Sequence, residues 1–118
     1  MKLIEISKIL EAQVWVGEEK LDKEISKCGA SDLMSDILNK PSDDESIFLT
    51  GQVSNQAIKT AIVAGVGAVV FVRDKKPSQE IINMAKSEQI PILSSPFSMF
   101  VSCGRLYSNG LIGLNGKK

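Results

Sequence analysis

Histidine is absent from all 118 residues of this chain, and cysteine occurs only twice. Without an imidazole the chain lacks the commonest general base, the usual nitrogen ligand of a transition metal, and the base of a Ser or Cys triad. Cys28 and Cys103 lie far apart and show no CxxC or Cys/His spacing. Neither a disulfide framework nor a zinc site is indicated, and two reduced thiols packed as small apolar groups are expected.

An excess of charge of one sign is also missing, since Lys plus Arg and Asp plus Glu number 14 each. No net field gathers polyanions, so neither nucleic acid nor an anionic membrane is an expected partner. No apolar run approaches the ~18 residues of a membrane span. Leu3, Ile4, Ile6, Ile9 and Leu10 resemble a signal peptide by composition, but Glu5, Ser7, Lys8 and Glu11 interrupt them and no small-residue cleavage site follows. A cytoplasmic location is expected. Internal repeats and low-complexity linkers are lacking too.

What remains is an ordinary globular composition, 43% apolar and 24% charged. A chain of this size can bury roughly two-thirds of its unfolded surface around one core. We therefore expect a single domain over residues 1–114 and a frayed tail over 115–118.

The first segment is amphipathic, with Leu3, Ile6, Ile9 and Leu10 opposite Lys2, Glu5, Lys8 and Glu11, which predicts a helix over about 2–11. Val14-Trp15-Val16, closed by Gly17, reads as a short strand, and a second follows near Ile25 to Cys28. These two are expected to form a small N-terminal subdomain, with Trp15 on a contact surface and the exposed edges covered by a second copy, hence a homodimer. Ser31 and Asp32 are expected to cap a helix carrying Leu33, Met34, Ile37 and Leu38 on one side and stopping near Lys40, before Pro41.

The pattern then becomes regular. Ser46 to Thr50 and Ala68 to Val72 read as strands covered on both faces, and Ile90 to Leu93 as a third. Helices alternate with them. One starts at Ser54 with Ile58, Ala61, Ile62 and Gly65 inward, one opens at Pro77 and Ser78 with Ile81, Ile82 and Ala85 inward, and one runs from Ser98 to about Tyr107, stopped by Asn109 and Gly110. Three βα units in series with short connections predict an α/β fold: a small parallel sheet with helices on both faces.

Ligands of such a sheet bind beyond the carboxyl ends of the strands. That rule nominates Thr50, Gly51, Gln52, Ser54 and Asn55 after the first strand, and Arg73, Asp74 and Lys76 in the loop Val72 to Lys76 after the second. After the third it nominates Ser94, Ser95 and Ser98. Their hydroxyls, amides and cations suit a phosphate or carboxylate, while each taken singly also has a plain role as a cap, turn or solvated loop.

Other patterns carry less. Gly65-Val66-Gly67 leads into a strand where a dinucleotide fingerprint follows one, so it reads as a helix stop. Gly110, Gly113 and Gly116-Lys117 do not have the spacing of a phosphate-binding GxxxxGK[ST] loop. Asp43-Asp44-Glu45 reads as a solvated turn, because consecutive carboxylates diverge and no distant partner is apparent. No metal and no cofactor are expected.

The order of segments resembles the DRTGG domain, a small α/β module related to the N-terminal domain of HPr kinase/phosphorylase. Lys2-Leu3-x-Glu5-Ile6, Val14-x-Val16-Gly17, Ile47-Phe48-Leu49-Thr50-Gly51, Lys76-Pro77-Ser78 and Ile90-Pro91-Ile92-Leu93-Ser94-Ser95-Pro96 carry the resemblance. Both signature loops depart from it: Gln52-Val53 stands where Asp-Arg follows the glycine, and Val72-Arg73-Asp74 where Thr-Gly-Gly closes the next strand. Val in place of Arg removes a charge and a fork of donors. The resemblance implies a regulatory or sensory domain. We expect a non-catalytic module that binds a small anionic metabolite or nucleotide and acts on a partner enzyme in trans. The alternatives are a dimeric assembly module without ligand and, third, a minor transferase or hydrolase using Ser95 or Asp74.

Overall fold

Ser46 to Thr50 and Ala68 to Phe71 carry no charge and are buried at every position. Such runs belong in the middle of a parallel sheet, and the computed structural model, which describes residues 1–39 and 42–114, places them there side by side. In chain order the elements are α1 (Leu3–Ile9), β1 (Gln13–Val16), β2 (Lys27–Ala30), α2 (Met34–Leu38), β3 (Ser46–Thr50) and α3 (Asn55–Ala64). They continue with β4 (Ala68–Phe71), α4 (Gln79–Ser87), β5 (Ile92–Ser94), α5 (Met99–Ser108) and β6 (Ile112–Gly113), and a 3-10 turn at Glu18–Lys20 follows β1.

One six-stranded sheet results, in the order β1-β5-β4-β3-β2-β6. From β2 to β5 each crossover steps to the next strand in the same direction, and right-handed crossovers of that kind leave their helices on one face. Accordingly α2, α3 and α4 pack in a row, while α1 and α5 lie together on the other face. The period of two along each strand divides the core. Phe48, Val69, Phe71 and Ile92 point to Met34, Ile37, Ile58, Ala61, Ile81 and Ala85. Ile47, Leu49, Val70, Val72 and Leu93 point to Leu3, Ile6, Leu10 and Leu106.

Local chemistry sets the helix ends. Ser54, Ser78 and Ser98 accept the backbone N–H of Ala57, Ile81 and Val101 at 3.1, 3.3 and 3.2 Å, each cap contributing about 1 kcal/mol. Gly65, at φ 75°, closes α3 in the left-handed conformation, as expected of the Gly65-Val66-Gly67 stop.

Several expectations are corrected. The N-terminal strands form no separate subdomain: β1 joins the sheet edge antiparallel to β5, so the sheet is not wholly parallel, and β2 runs inside it between β3 and β6. The second strand is Lys27–Ala30 where Ile25 to Cys28 was expected. Ile25 is buried, but its N–H is taken by the Met1 carbonyl at 2.7 Å, which keeps it out of the ladder. Trp15, expected on a contact surface, is partly buried: it packs against the α2–α4 side of the core, and its indole N–H donates to Ser94 Oγ at 2.9 Å. Ile62 and Gly65 are exposed, and Ala57 and Thr60 take the inner positions of α3. On α2, Leu33 and Leu38 face solvent and only Met34 and Ile37 are buried. The expected stop near Lys40 and Pro41 and the tail over 115–118 lie outside the described residues. No described helix is long and apolar enough to cross a membrane.

Candidate functional site

Because β2 to β5 are parallel, their last residues, Ala30, Thr50, Phe71 and Ser94, end at the same edge of the sheet. The loops that follow are strapped together by backbone bonds: Arg73 N–H donates to the Phe97 carbonyl at 2.7 Å and Asp74 N–H to the Ser95 carbonyl at 2.8 Å. Arg73 and Asp74 hold φ of 61° and 58°, a left-handed conformation that costs a non-glycine residue roughly 1–2 kcal/mol. The straps hold that strained pair in place.

At the centre lies Asp32, which sequence reasoning assigns to a helix cap. It caps nothing: Ser31 Oγ accepts the Leu33 N–H, and Leu33 holds the cap position of α2 without a side-chain bond. The Asp32 carboxylate turns to the neighbouring strand end, where Oδ1 accepts the Gly51 N–H at 2.6 Å and the Thr50 hydroxyl at 3.3 Å. Its Oδ2 lies 3.4 Å from Arg73 Nη2. The Gly51 N–H above all, then the Arg73 guanidinium and the Thr50 hydroxyl, hold the Asp32 carboxyl below the usual carboxylate range, against a partial burial that pushes the other way. Lys75 adds a second cation, its Nζ donating to the Gly51 carbonyl at 2.9 Å.

Of the nominated residues, Thr50, Gly51 and Arg73 therefore meet around one carboxylate. Gln52 adjoins them, its N–H donating to Thr50 Oγ1 at 3.1 Å, and its Oε1 is shut away from solvent without a hydrogen-bond partner among the described residues. The rest are dispersed. Ser54 and Ser98 are caps, Asn55 Nδ2 donates to Glu80 Oε1 on α4 at 2.8 Å, and Ser94 serves Trp15. Ser95 Oγ donates to the Leu10 carbonyl at 2.7 Å and is 1% exposed, so it is no accessible nucleophile. The Asp74 and Lys76 side chains face solvent. Nor is the crevice open: a methyl group at Gly51 would collide with the Arg73 guanidinium lying over it. A hollow of about 350 Å³ opens beside α5, and one of about 390 Å³ beside Ser31 and Asp36.

Asp32 is the residue that the sequence reading leaves out, whereas Lys75 lies within the nominated loop Val72 to Lys76. The parallel pairing of β2 with β3 is the signal for Asp32, since it puts the loop after one beside the loop after the other; the weak β character of Lys27-Cys28-Gly29-Ala30 conceals that pairing. Elsewhere the acidic run is spent locally, Asp43 on the Glu45 N–H and Lys27, and Asp44 on Lys23 at 2.6 Å. Among the described residues no group of three or more His, Cys, Asp or Glu is placed to hold a metal ion. The two cysteines are free thiols. Burial, and then the neighbouring Cys103, push the Cys28 thiol up to about 12.

A family model described as the DRTGG domain matches residues 5–107. No curated protein sequence matches the chain. Among solved structures, the crystal structure of the CBS and DRTGG domains of the regulatory region of Clostridium perfringens pyrophosphatase, complexed with its activator diadenosine tetraphosphate, is similar with a TM-score of 0.74 and 22% identity. The match covers 97% of this chain and 48% of that one, so the chain spans about half of that structure's length. At this identity the likeness is one of fold.

Proposed function

Since the chain belongs to the DRTGG domain family, we propose that it is a non-catalytic regulatory module that senses a small anionic metabolite or nucleotide at the strand-end crevice and acts on a partner enzyme. One observation carries the reading. A backbone N–H at Gly51, a hydroxyl at Thr50 and a guanidinium at Arg73 already converge on an anion, and that anion is the chain's own Asp32 carboxylate. A phosphate offers the same oxygens with more charge, so it competes for those donors by displacing Asp32. The resemblance places the family's arginine at position 53, where this chain has Val; the Arg73 guanidinium reaches the same glycine from the next strand. The similar Clostridium perfringens region, which is complexed with a nucleotide activator, agrees with this class of ligand.

The test is a thermal-shift and calorimetric series with inorganic phosphate, ADP, ATP and diadenosine tetraphosphate. Ligand at 100 times its Kd adds about 2.7 kcal/mol of stability. We expect a nucleotide to raise the Tm, and the Arg73→Ala variant to lose that rise; no response to any of the four at millimolar concentration removes the reading. A second reading, an assembly module without ligand, draws on the Arg73 guanidinium covering Gly51. It predicts that none of the four compounds raises the Tm and that a pull-down recovers one stable partner without added ligand.

A further inference from the structure

The two faces of the sheet are covered unequally. Six strands at about 4.8 Å spacing span roughly 24 Å, and a helix with its side chains is roughly 10 Å wide. Among the described residues three helices fill one face, but only α1 and α5 lie on the other. The shortfall falls on the β2–β6 flank, where a hollow of about 350 Å³ opens beside α5, floored by Cys28, Ala30 and Ile112. The wall is a stripe of α5 at spacings i, i+4 and i+7: Phe100, Gly104 and Tyr107. Phe100 is 86% and Tyr107 56% exposed.

Gly104 is the informative member. A glycine inside a helix costs stability relative to alanine, yet a Cβ there would meet nothing within 4 Å, and its φ is not positive. Nothing among the described residues requires it. Between two exposed aromatic rings, a position without a side chain lets the backbone of another helix approach closely. None of the residues bounding the hollow is charged, so what covers it is apolar as well.

We infer that this flank is a homodimer interface, in which α5 of two copies cross at Gly104 and Phe100 of each copy enters the hollow of the other. A two-fold contact requires one patch to be complementary to itself. This patch qualifies, because it holds a protruding ring and a recess large enough to receive one. Aromatic side chains bury about 150–250 Å² each, so Phe100, Tyr107 and the recess supply a few hundred Å² per copy. That is about half of the roughly 800 Å² per partner in a standard interface, which makes the dimer reversible and concentration-dependent. The inference holds whether or not the strand-end crevice takes a ligand.

Sedimentation velocity on the full chain, from about 5 to 500 μM, tests it. The wild type is expected to pass from monomer to dimer across that range. Phe100→Asp and Gly104→Leu, both at exposed positions, are expected to move the midpoint upward by about tenfold or more. Val63→Asp, on α3 across the sheet and 77% exposed, is expected to leave it in place. Far-ultraviolet dichroism identical to wild type shows that each variant is folded. A wild type that stays monomeric throughout overturns the inference, as does a midpoint unmoved by either α5 variant.

Discussion

Asp32 and Arg73, 41 positions apart, meet across the end of the sheet with the carboxylate Oδ2 3.4 Å from the guanidinium Nη2. The pair is about half exposed, so its Coulomb contribution by itself is small. Its effect comes from what else the carboxylate holds: the Gly51 N–H at 2.6 Å joins the loop after β2 to the loop after β3.

Asp32→Asn is expected to lower stability by about 1 kcal/mol, the usual worth of a charge-assisted bond discounted for exposure, or roughly 4 °C in Tm for a chain of this size. The pH dependence follows from the sign of the shift. Because the folded carboxyl titrates below its unfolded value, of about 3.9, its contribution is complete at pH 6. It is lost as pH falls below about 4 and through the folded value. Thermal melts of the two proteins should differ at pH 6 and converge toward pH 2; a constant gap would show that the charge is not responsible.

Gly51→Ala is expected to cost about 1–3 kcal/mol, because the new methyl group displaces the Arg73 guanidinium. Most of that loss should be recovered in the double variant Gly51→Ala, Arg73→Ala. Urea denaturation of the four proteins closes the cycle, and strict additivity would mean that the two side chains do not meet.

Trp15, the only tryptophan, reports on the β1–β5 seam. Trp15→Phe is expected to destabilise by about 1–2 kcal/mol through lost packing and the lost bond to Ser94. In the wild type its emission should shift to the red in one transition coincident with loss of helix by dichroism. Emission already at the wavelength of free indole in buffer would contradict the packing.

Cys28, with its thiol pushed up to about 12 by burial, should hardly react with an aromatic disulfide reagent at pH 8, since the thiolate is the nucleophile. Unfolding in guanidinium should expose both cysteines at once. A time course that titrates two thiols within seconds in buffer would refute the raised Cys28 thiol.

The middle of the fold was readable from sequence for a physical reason. Ser46 to Thr50 and Ala68 to Phe71 are buried on both faces, so their composition alone announces strands, and Ser54, Ser78 and Ser98 announce the helices. The flanks were not readable. Lys27-Cys28-Gly29-Ala30 has no β-branched residue, and Gly29 is small because Leu114 and Ile37 press against it. β6 is only two residues long. Without the β2–β3 pairing, Asp32 reads as a cap, and the residue that organises the candidate site stays outside it. Ser94 and Ser95 lie at the expected edge, but their hydroxyls turn back to Trp15 and Leu10.

The placement of β1 and β6 also bears on how such a chain leaves the ribosome. Gln13 pairs with Ser94 and Lys27 with Ile112, so both outermost strands take partners made long after themselves or before them. The run from β2 to β4 can pair as it emerges, each strand beside its predecessor. The β1 flank closes only when β5 (Ile92–Ser94) arrives and the β2 flank only when β6 (Ile112–Gly113) does, and loop closure over that distance is entropically slow. Until then Trp15 and the β2 edge remain without their partners, which makes nascent chains of this protein natural clients for whatever guards exposed strands during synthesis.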